Sequence, residues 1–223
     1  MEVWQPTQGA QRMSINSQQP QFSPIDLIKS SWDPMIKNAG PIIGGSVIAA
    51  IISIAAGSIP FASLLVQGPL AYGLYVAALG ATRGRTVEFT EVFSGFQRFV
   101  PAFLAGLLIG IFTLIGMVFC IIPGIIVSIL YLPAYLYMID EGLDFWPAME
   151  KSRTVVWDNF GQWGLLMVAI IVMNIVGAIP CGLGLFITIP LTLMAITKAY
   201  EIQRGSAGPP PLNEAVGTAG LSL

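Results

Sequence analysis

Apolar residues along the chain gather into six long runs, divided by short polar or Gly/Pro-rich breaks. A helix that crosses a bilayer needs about 20 predominantly apolar residues, because each backbone polar group must find its partner within the segment. Runs of that length are expected as spanning helices at Gly40 to Ile59, Phe61 to Thr82, Phe99 to Cys120, Gly124 to Ile139, Gly161 to Ile179 and Gly184 to Ile202. The fourth is short, and its Tyr131, Tyr135 and Tyr137 place part of it toward an interface. The expected fold is all-α: a polytopic integral membrane protein of six transmembrane helices in three hairpins.

A second pattern precedes each hairpin. Pro60, Pro123 and Pro180 sit in the turns; each is followed nine or ten residues later by a proline within the returning helix (Pro69, Pro133, Pro190). Each is also preceded, 34 or 35 residues earlier, by an apolar residue opening a short segment: Ile25, Phe89, Phe145. At 100° per residue these segments are amphipathic. The first gathers Ile25, Ile28, Trp32, Met35 and Ile36, and the second Phe89, Val92, Phe93, Phe96 and Val100. The third gathers Phe145, Met149, Ser152 and Val156, opposite Glu150, Thr154 and Asp158. Ser23-Pro24 and Asp33-Pro34 each have the form of an N-cap followed by proline in the first turn. Such segments lie in the headgroup plane or against the bundle, so the unit is amphipathic segment, helix, turn, helix, repeated about an axis along the membrane normal.

Charge then orients the pattern. All ten Lys and Arg fall on one side of the six spans: Arg12, Lys29, Lys37, Arg83, Arg85, Arg98, Lys151 and Arg153 between or before them, Lys198 and Arg204 at or beyond the last. Positive residues are retained in the cytoplasm, so both termini are expected inside. The domain reading is a disordered cytoplasmic tail over 1–22, a membrane domain over 23–203 and a short cytoplasmic tail over 204–223. The Gln-rich leader lacks the charged-then-apolar order of a cleavable signal.

Composition narrows the chemistry. Of 223 residues 55% are hydrophobic and 10% charged, against about 25% charged in an ordinary soluble domain. With a net charge of −2 and no histidine, neither a nucleic-acid footprint nor a histidine-based site is expected. No metal cluster, CxxC or Cys-His pair occurs in the sequence, and no cofactor is expected. Gln67, Thr113, Ser128, Asn174, Thr188, Thr192 and Thr197 are the polar residues of the spans; they read as interhelical hydrogen-bonding groups rather than a polar pathway. Gly106 with Gly110, Gly45 with Ala49 and Gly73 with Ala77 read as close-packing pairs within the chain. Cys120 and Cys181 fall at outer hairpin ends, where a disulfide is chemically permitted; free thiols are expected. The densest charge cluster, Asp140, Glu141, Asp144, Glu150, Lys151 and Arg153, reads as a solvated loop with Asp144 capping the next helix and Glu150 paired with Arg153. Its carboxylates lack a nucleophile, histidine or phosphate loop beside them, so catalysis is not expected.

Further elements form a combination: Gly68-Pro69-Leu70 with Gly73, Phe93-Ser94-Gly95-Phe96, Ile122-Pro123-Gly124-Ile125, Asp140-Glu141-Gly142, Ala148 with Ser152, Asn159-Phe160, Cys181-Gly182-Leu183-Gly184, Pro190 and Ala199-Tyr200. Over about two-thirds of its length the chain thereby resembles a group of six-helix bacterial membrane proteins of unknown function, in the superfamily of the membrane domain fused to some glycerophosphoryl diester phosphodiesterases. The resemblance implies the fold and a bacterial cytoplasmic (inner) membrane. It implies no activity, since hydrolysis in the fused relatives belongs to a separate soluble domain.

The functional expectation is a non-catalytic membrane protein that scaffolds, regulates or assembles partners. Its partners are the lipid bilayer and other membrane proteins, met through the cytoplasmic segments at Arg83, Arg85, Arg98, Glu150, Lys151 and Arg153. The alternative is a channel or transporter for a small neutral or apolar molecule, gated by helices broken at Pro69, Pro133 and Pro190. An enzyme acting on lipid headgroups through the Asp140 to Arg153 region stands third.

Overall fold

The structure, a computed structural model, describes residues 22–57, 62–179, 182 and 184–205. Residues 1–21 and 206–223, nearly all of the tails expected over 1–22 and 204–223, lie outside these residues, as do the turn residues Pro60 and Pro180, and Cys181; Arg204 is instead the last residue of α9. Among the described residues the chain is helical throughout, with no strand: α1 (Pro24–Lys37), α2 (Ala39–Gly57), α3 (Ala62–Thr82), a 3-10 helix (Phe89–Phe96), α4 (Phe99–Phe119), α5 (Ile121–Leu130), α6 (Ala134–Asp140), α7 (Phe145–Asp158), α8 (Phe160–Ala178) and α9 (Leu185–Arg204).

Five stretches are long and apolar enough to cross a membrane: Ala39–Gly57, Phe99–Phe119, Ile121–Asp140, Phe160–Ala178 and Leu185–Arg204. Their outward faces carry large apolar side chains, with Ile54, Leu114, Val118, Val172 and Ile175 all exposed. Apolar surface on that scale is stable only where it meets lipid, so the architecture is that of a membrane-embedded protein.

α3 is the central element. Leu70, Tyr72, Tyr75, Ala77, Ala78, Leu79 and Ala81 are buried along it, and it touches α1, α2, the 3-10 helix, α4, α6 and α9. It ends in a Schellman motif: Arg85 N–H donates to Gly80 O (2.9 Å) and Gly84 N–H to Ala81 O (3.1 Å). Gly84 takes the left-handed conformation this requires, with φ 76°. The chain is then free to turn sharply into the 3-10 helix.

The structure departs from the sequence-based expectations at several points. The fourth span is not one helix over Gly124 to Ile139 but two, α5 and α6, separated at Tyr131-Leu132-Pro133. Pro133 has no N–H to offer and restricts the residue before it, which ends α5 at Leu130. Pro69 and Pro190, by contrast, lie inside the unbroken helices α3 and α9. The sequence cannot distinguish these cases, because a proline breaks a helix only where the freed carbonyls find other donors.

α1 splits the apolar stripe read from its sequence, with Met35 turned inward and Ile28 packed on the core. Pro24, Leu27, Ser31 and Met35 are buried, whereas Ile25, Trp32 and Ile36 point outward. The second segment is 3-10 rather than α-helical, and its inward residues are Val92 and Gly95 while Phe89, Phe93 and Phe96 are exposed. The physical cause is common to both. In a membrane protein large apolar side chains are favourable against lipid as well as against the core, so the most apolar face need not be the inner one. Only the third segment, α7, buries the face read from its sequence: Met149, Ser152 and Val156, with Ala148 beside them. Phe22, assigned to the tail, is instead buried edge-to-face on Trp163 at 5.9 Å.

Candidate functional site

Ionisable side chains that are taken out of water survive only when paired, and one group of them dominates the structure. Asp140 closes α6, Arg83 follows α3 directly, and Tyr200, Glu201 and Arg204 occupy the last turns of α9. Arg83 Nη2 lies 2.7 Å from Asp140 Oδ1 and 2.7 Å from Glu201 Oε1. Tyr200 donates its hydroxyl to Asp140 Oδ2 at 2.8 Å, and Arg204 pairs with the same oxygen. The Asp140 carboxylate is fully buried and the Arg83 side chain is 8% exposed. Burial works against the Arg83 charge, but the hydrogen bonds and charges of Asp140 and Glu201 outweigh it and hold the guanidinium above its ordinary pKa. Two acids and two bases therefore lock the ends of α3, α6 and α9 to one another with no net charge.

This corrects the reading of Asp140 as a solvated loop residue. The carboxylate sits at the C-terminus of α6, the end where a helix disfavours negative charge, so it depends on the two arginines. A hint was present in the sequence: Asp140 abuts Ile139 with no polar spacer, just as Arg83 abuts Thr82 at the end of an apolar run.

The neighbouring α5–α6 break is sealed from within. Ser152 of α7 donates to Leu130 O at 2.7 Å, and Tyr75 of α3 donates to Leu132 O at 3.4 Å. Irregular backbone at membrane depth is tolerated where it is buried in protein or lines a watery cavity. Here side chains from two other elements fill the first role, and Tyr135 stacks on Tyr75 at 5.7 Å beside them. Ser152, expected on the apolar face of α7, thus has a specific partner that no spacing rule reveals.

Close backbone approach fixes the 3-10 helix on α3. A methyl group added at Gly73 would lie 1.8 Å from Val92 O, and one at Gly95 would lie 1.9 Å from Pro69 O. Of the expected packing pairs, Gly106 meets Gly68 and Gly45 meets Val92, while Gly110 has open space. The polar residues of α8 and α9 bond to each other: Thr188 Oγ1 donates to Asn174 Oδ1 at 2.9 Å, and Asn174 Nδ2 donates to Thr192 Oγ1 at 3.1 Å. Ser128 and Thr197 return their hydroxyls to carbonyls of their own helices.

The six residues expected to form a partner surface divide. Arg83 is turned inward, as above. Arg85 forms a two-pronged pair with Glu91 at 2.6 Å, Lys151 pairs with Glu141 at 2.6 Å, and Glu150 pairs with Arg153 one turn away, all with partly open side chains. Arg98 is half-buried at the start of α4. Asp144 accepts from Phe145 N–H at 2.8 Å, capping α7 as expected. Cys120 is exposed between α4 and α5. Among the described residues no group of three His, Cys, Asp or Glu is arranged to hold a metal ion. In comparison with known proteins, no family model, curated protein or solved structure matches the chain.

Proposed function

We propose that the protein is a non-catalytic membrane component that scaffolds, regulates or assembles other membrane proteins, and that its contact surface is its charged end. The observation that carries this reading is the distribution of charge. The described Lys, Arg, Asp and Glu lie on the short segments α1, the 3-10 helix and α7, between helices, at the end of α6 or in the last two turns of α9, and the paired ones join only elements of the same end: Arg83 to Asp140 and Glu201, Arg85 to Glu91, Lys151 to Glu141. In this reading α3 is a sixth span beside the five apolar helices, the spans form three hairpins, and the charged end with both termini faces the cytoplasm of a bacterial inner membrane. The resemblance to the six-helix group supports the same arrangement.

The charged end combines a rigid base, the Asp140 cluster, with open ion pairs on α7 and the 3-10 helix. Such rim charges contribute little to stability and are free to select a partner. Cross-linking in native membranes from a photoreactive residue placed at Glu150 or Arg85, followed by identification of the captured chain, tests the reading. One dominant membrane-protein adduct, lost on charge reversal at the neighbouring Lys151 and Arg153, is the expected result. Topology is tested separately: a cysteine in place of Gly205 is expected to resist a membrane-impermeant maleimide in intact cells, and periplasmic labelling there would overturn the orientation.

A second reading, a channel or transporter for a small neutral or apolar molecule, draws on one observation, the broken α5–α6 helix. Discontinuous helices supply binding carbonyls in transporters. Two carbonyls at this break are already taken by Ser152 and Tyr75, which favours the first reading. Flux of small neutral solutes into proteoliposomes, abolished by Ser152→Ala, would reverse that preference.

A further inference from the structure

The three short segments share a feature that neither core packing nor the ion pairs use. α1 exposes Ile25, Trp32 and Ile36 (62, 46 and 54%), the 3-10 helix exposes Phe89, Phe93 and Phe96, and α7 exposes Trp146 and Trp157. A face turned to water would be polar; these faces carry large apolar and aromatic side chains among charged ones, the composition of a surface at the lipid interface. Continuity identifies the occupant as lipid. Phe93, Phe96, Phe99 and Phe103 form an unbroken aromatic row, with successive ring centroids 6.4, 6.4 and 5.8 Å apart, running from the 3-10 helix into the apolar helix α4. The row continues the surface that α4 offers to the hydrocarbon.

We infer that the protein is a one-leaflet wedge, which bends or seeks bent membrane by inserting these three segments into the leaflet at its charged end. The inference rests on the six-span reading above. At 1.5 Å per α-helical residue α1 and α7 are each about 21 Å long, and at 2.0 Å per 3-10 residue the middle segment is about 16 Å. With a width of ~10 Å they cover up to about 580 Å². Tucking half of that beneath the bundle still adds ~300 Å² to one leaflet, several times the cross-section of a spanning helix, which counts equally in both. On the opposite side α4 and α5 are joined by Cys120 alone, and the other two connections are only a few residues long. The charged-end leaflet is therefore expanded relative to the other, and the membrane relaxes by placing that leaflet on the convex side. The nearly balanced acids and bases of this end point to area, rather than attraction to anionic headgroups, as the driving term.

Nanotubes pulled from giant vesicles holding the full-length protein test the wedge. The reporter is a fluorophore on a Gly205→Cys residue in a Cys120→Ser, Cys181→Ser background, so that outward and inward orientations are read separately by a membrane-impermeant quencher. Molecules with the charged end outward are expected to concentrate in the tube relative to a lipid dye, increasingly as the tube narrows, and inverted molecules to be depleted. Substituting Trp32, Phe93, Phe96 and Trp157 by serine should bring the tube-to-vesicle ratio back to that of the dye. Since these side chains are exposed, the variant should elute as the parent does in detergent; if it does not, the pair Trp146→Ser, Trp157→Ser is read instead, with a partial loss expected. Outward molecules that follow the dye at every radius, or a folded serine variant that sorts like the parent, would overturn the wedge. Cysteines introduced at Lys29, Gly84 and Gly142 report separately on topology: labelling of all three from one side with no sorting removes the wedge alone, whereas labelling from opposite sides removes the span reading beneath it.

Discussion

Replacing Asp140 by asparagine preserves its size and removes the one charge on which the ends of α3, α6 and α9 converge. The carboxylate is fully buried, with Arg83 on one oxygen and Tyr200 and Arg204 on the other. Breaking a buried ion pair from one side costs about 3–5 kcal/mol, mostly because the partner is left charged and dry. Two features moderate this: Arg83 retains Glu201, and Arg204, at 20% exposure, can turn toward water. Asp140→Asn should therefore fall near the lower end, about 3 kcal/mol. Tyr200→Phe removes a single hydrogen bond to a charged group, about 1.5 kcal/mol. Lys151→Ala removes a pair that is partly open to solvent and should cost under about 1 kcal/mol. The assay is the thermal-aggregation midpoint of purified protein in mild detergent, read as monomer surviving on size exclusion. The ordering Asp140→Asn, then Tyr200→Phe, then Lys151→Ala is the result expected. Replacing both partners with apolar residues, Arg83→Met with Asp140→Leu, should recover much of the loss, since a buried pair contributes less than the damage done by halving it. If Asp140→Asn were no worse than Lys151→Ala, the cluster would be wet and the account of the locked helix ends would fall.

Three further outcomes follow from packing. Gly73→Ala and Gly95→Ala should each destabilise by about 1–3 kcal/mol or more, because the added methyl meets backbone oxygen that cannot move aside, whereas Gly110→Ala should be neutral or slightly stabilising in the same assay. Met149→Asp with Val156→Asp should unfold the detergent-solubilised protein, while Glu150→Ala with Lys151→Ala changes its stability by under about 1 kcal/mol and weakens only partner cross-linking; the reverse pattern would mean that α7 faces the other way. Asn174→Leu should cost roughly 0.6–1.7 kcal/mol, the range of interhelical hydrogen bonds in membranes, and a larger loss of solute flux than of stability would revive the transport reading.

Helix identity and the approximate limits of five apolar stretches were legible in the sequence, because lipid imposes a length and a polarity that few other structures satisfy. The same constraint made charge informative: a lysine or arginine is tolerated at the ends of such helices far better than inside them, so the placement of the charged residues was set by the chain alone. Facing was not legible. For α1 and the 3-10 helix the hydrophobic stripe was split, with Met35 and Val92 buried and Ile25, Trp32, Ile36, Phe89, Phe93 and Phe96 turned outward, because lipid removes the difference between inside and outside that makes amphipathicity diagnostic in water. For α7, whose opposite face carries Glu150, Lys151 and Arg153, the water-based rule still held. The break at Pro133, set against the continuity at Pro69 and Pro190, depended on donors that arrive from distant parts of the chain, Ser152 and Tyr75. The Asp140 cluster had the same origin: Arg83, Asp140 and Arg204 each end a helix and look individually like solvated termini. Only the packing of α3, α6 and α9 brings those termini within hydrogen-bonding distance, and the abrupt ends of the apolar runs at Asp140 and Arg83 do not say which termini will meet across 57 or 60 residues of sequence.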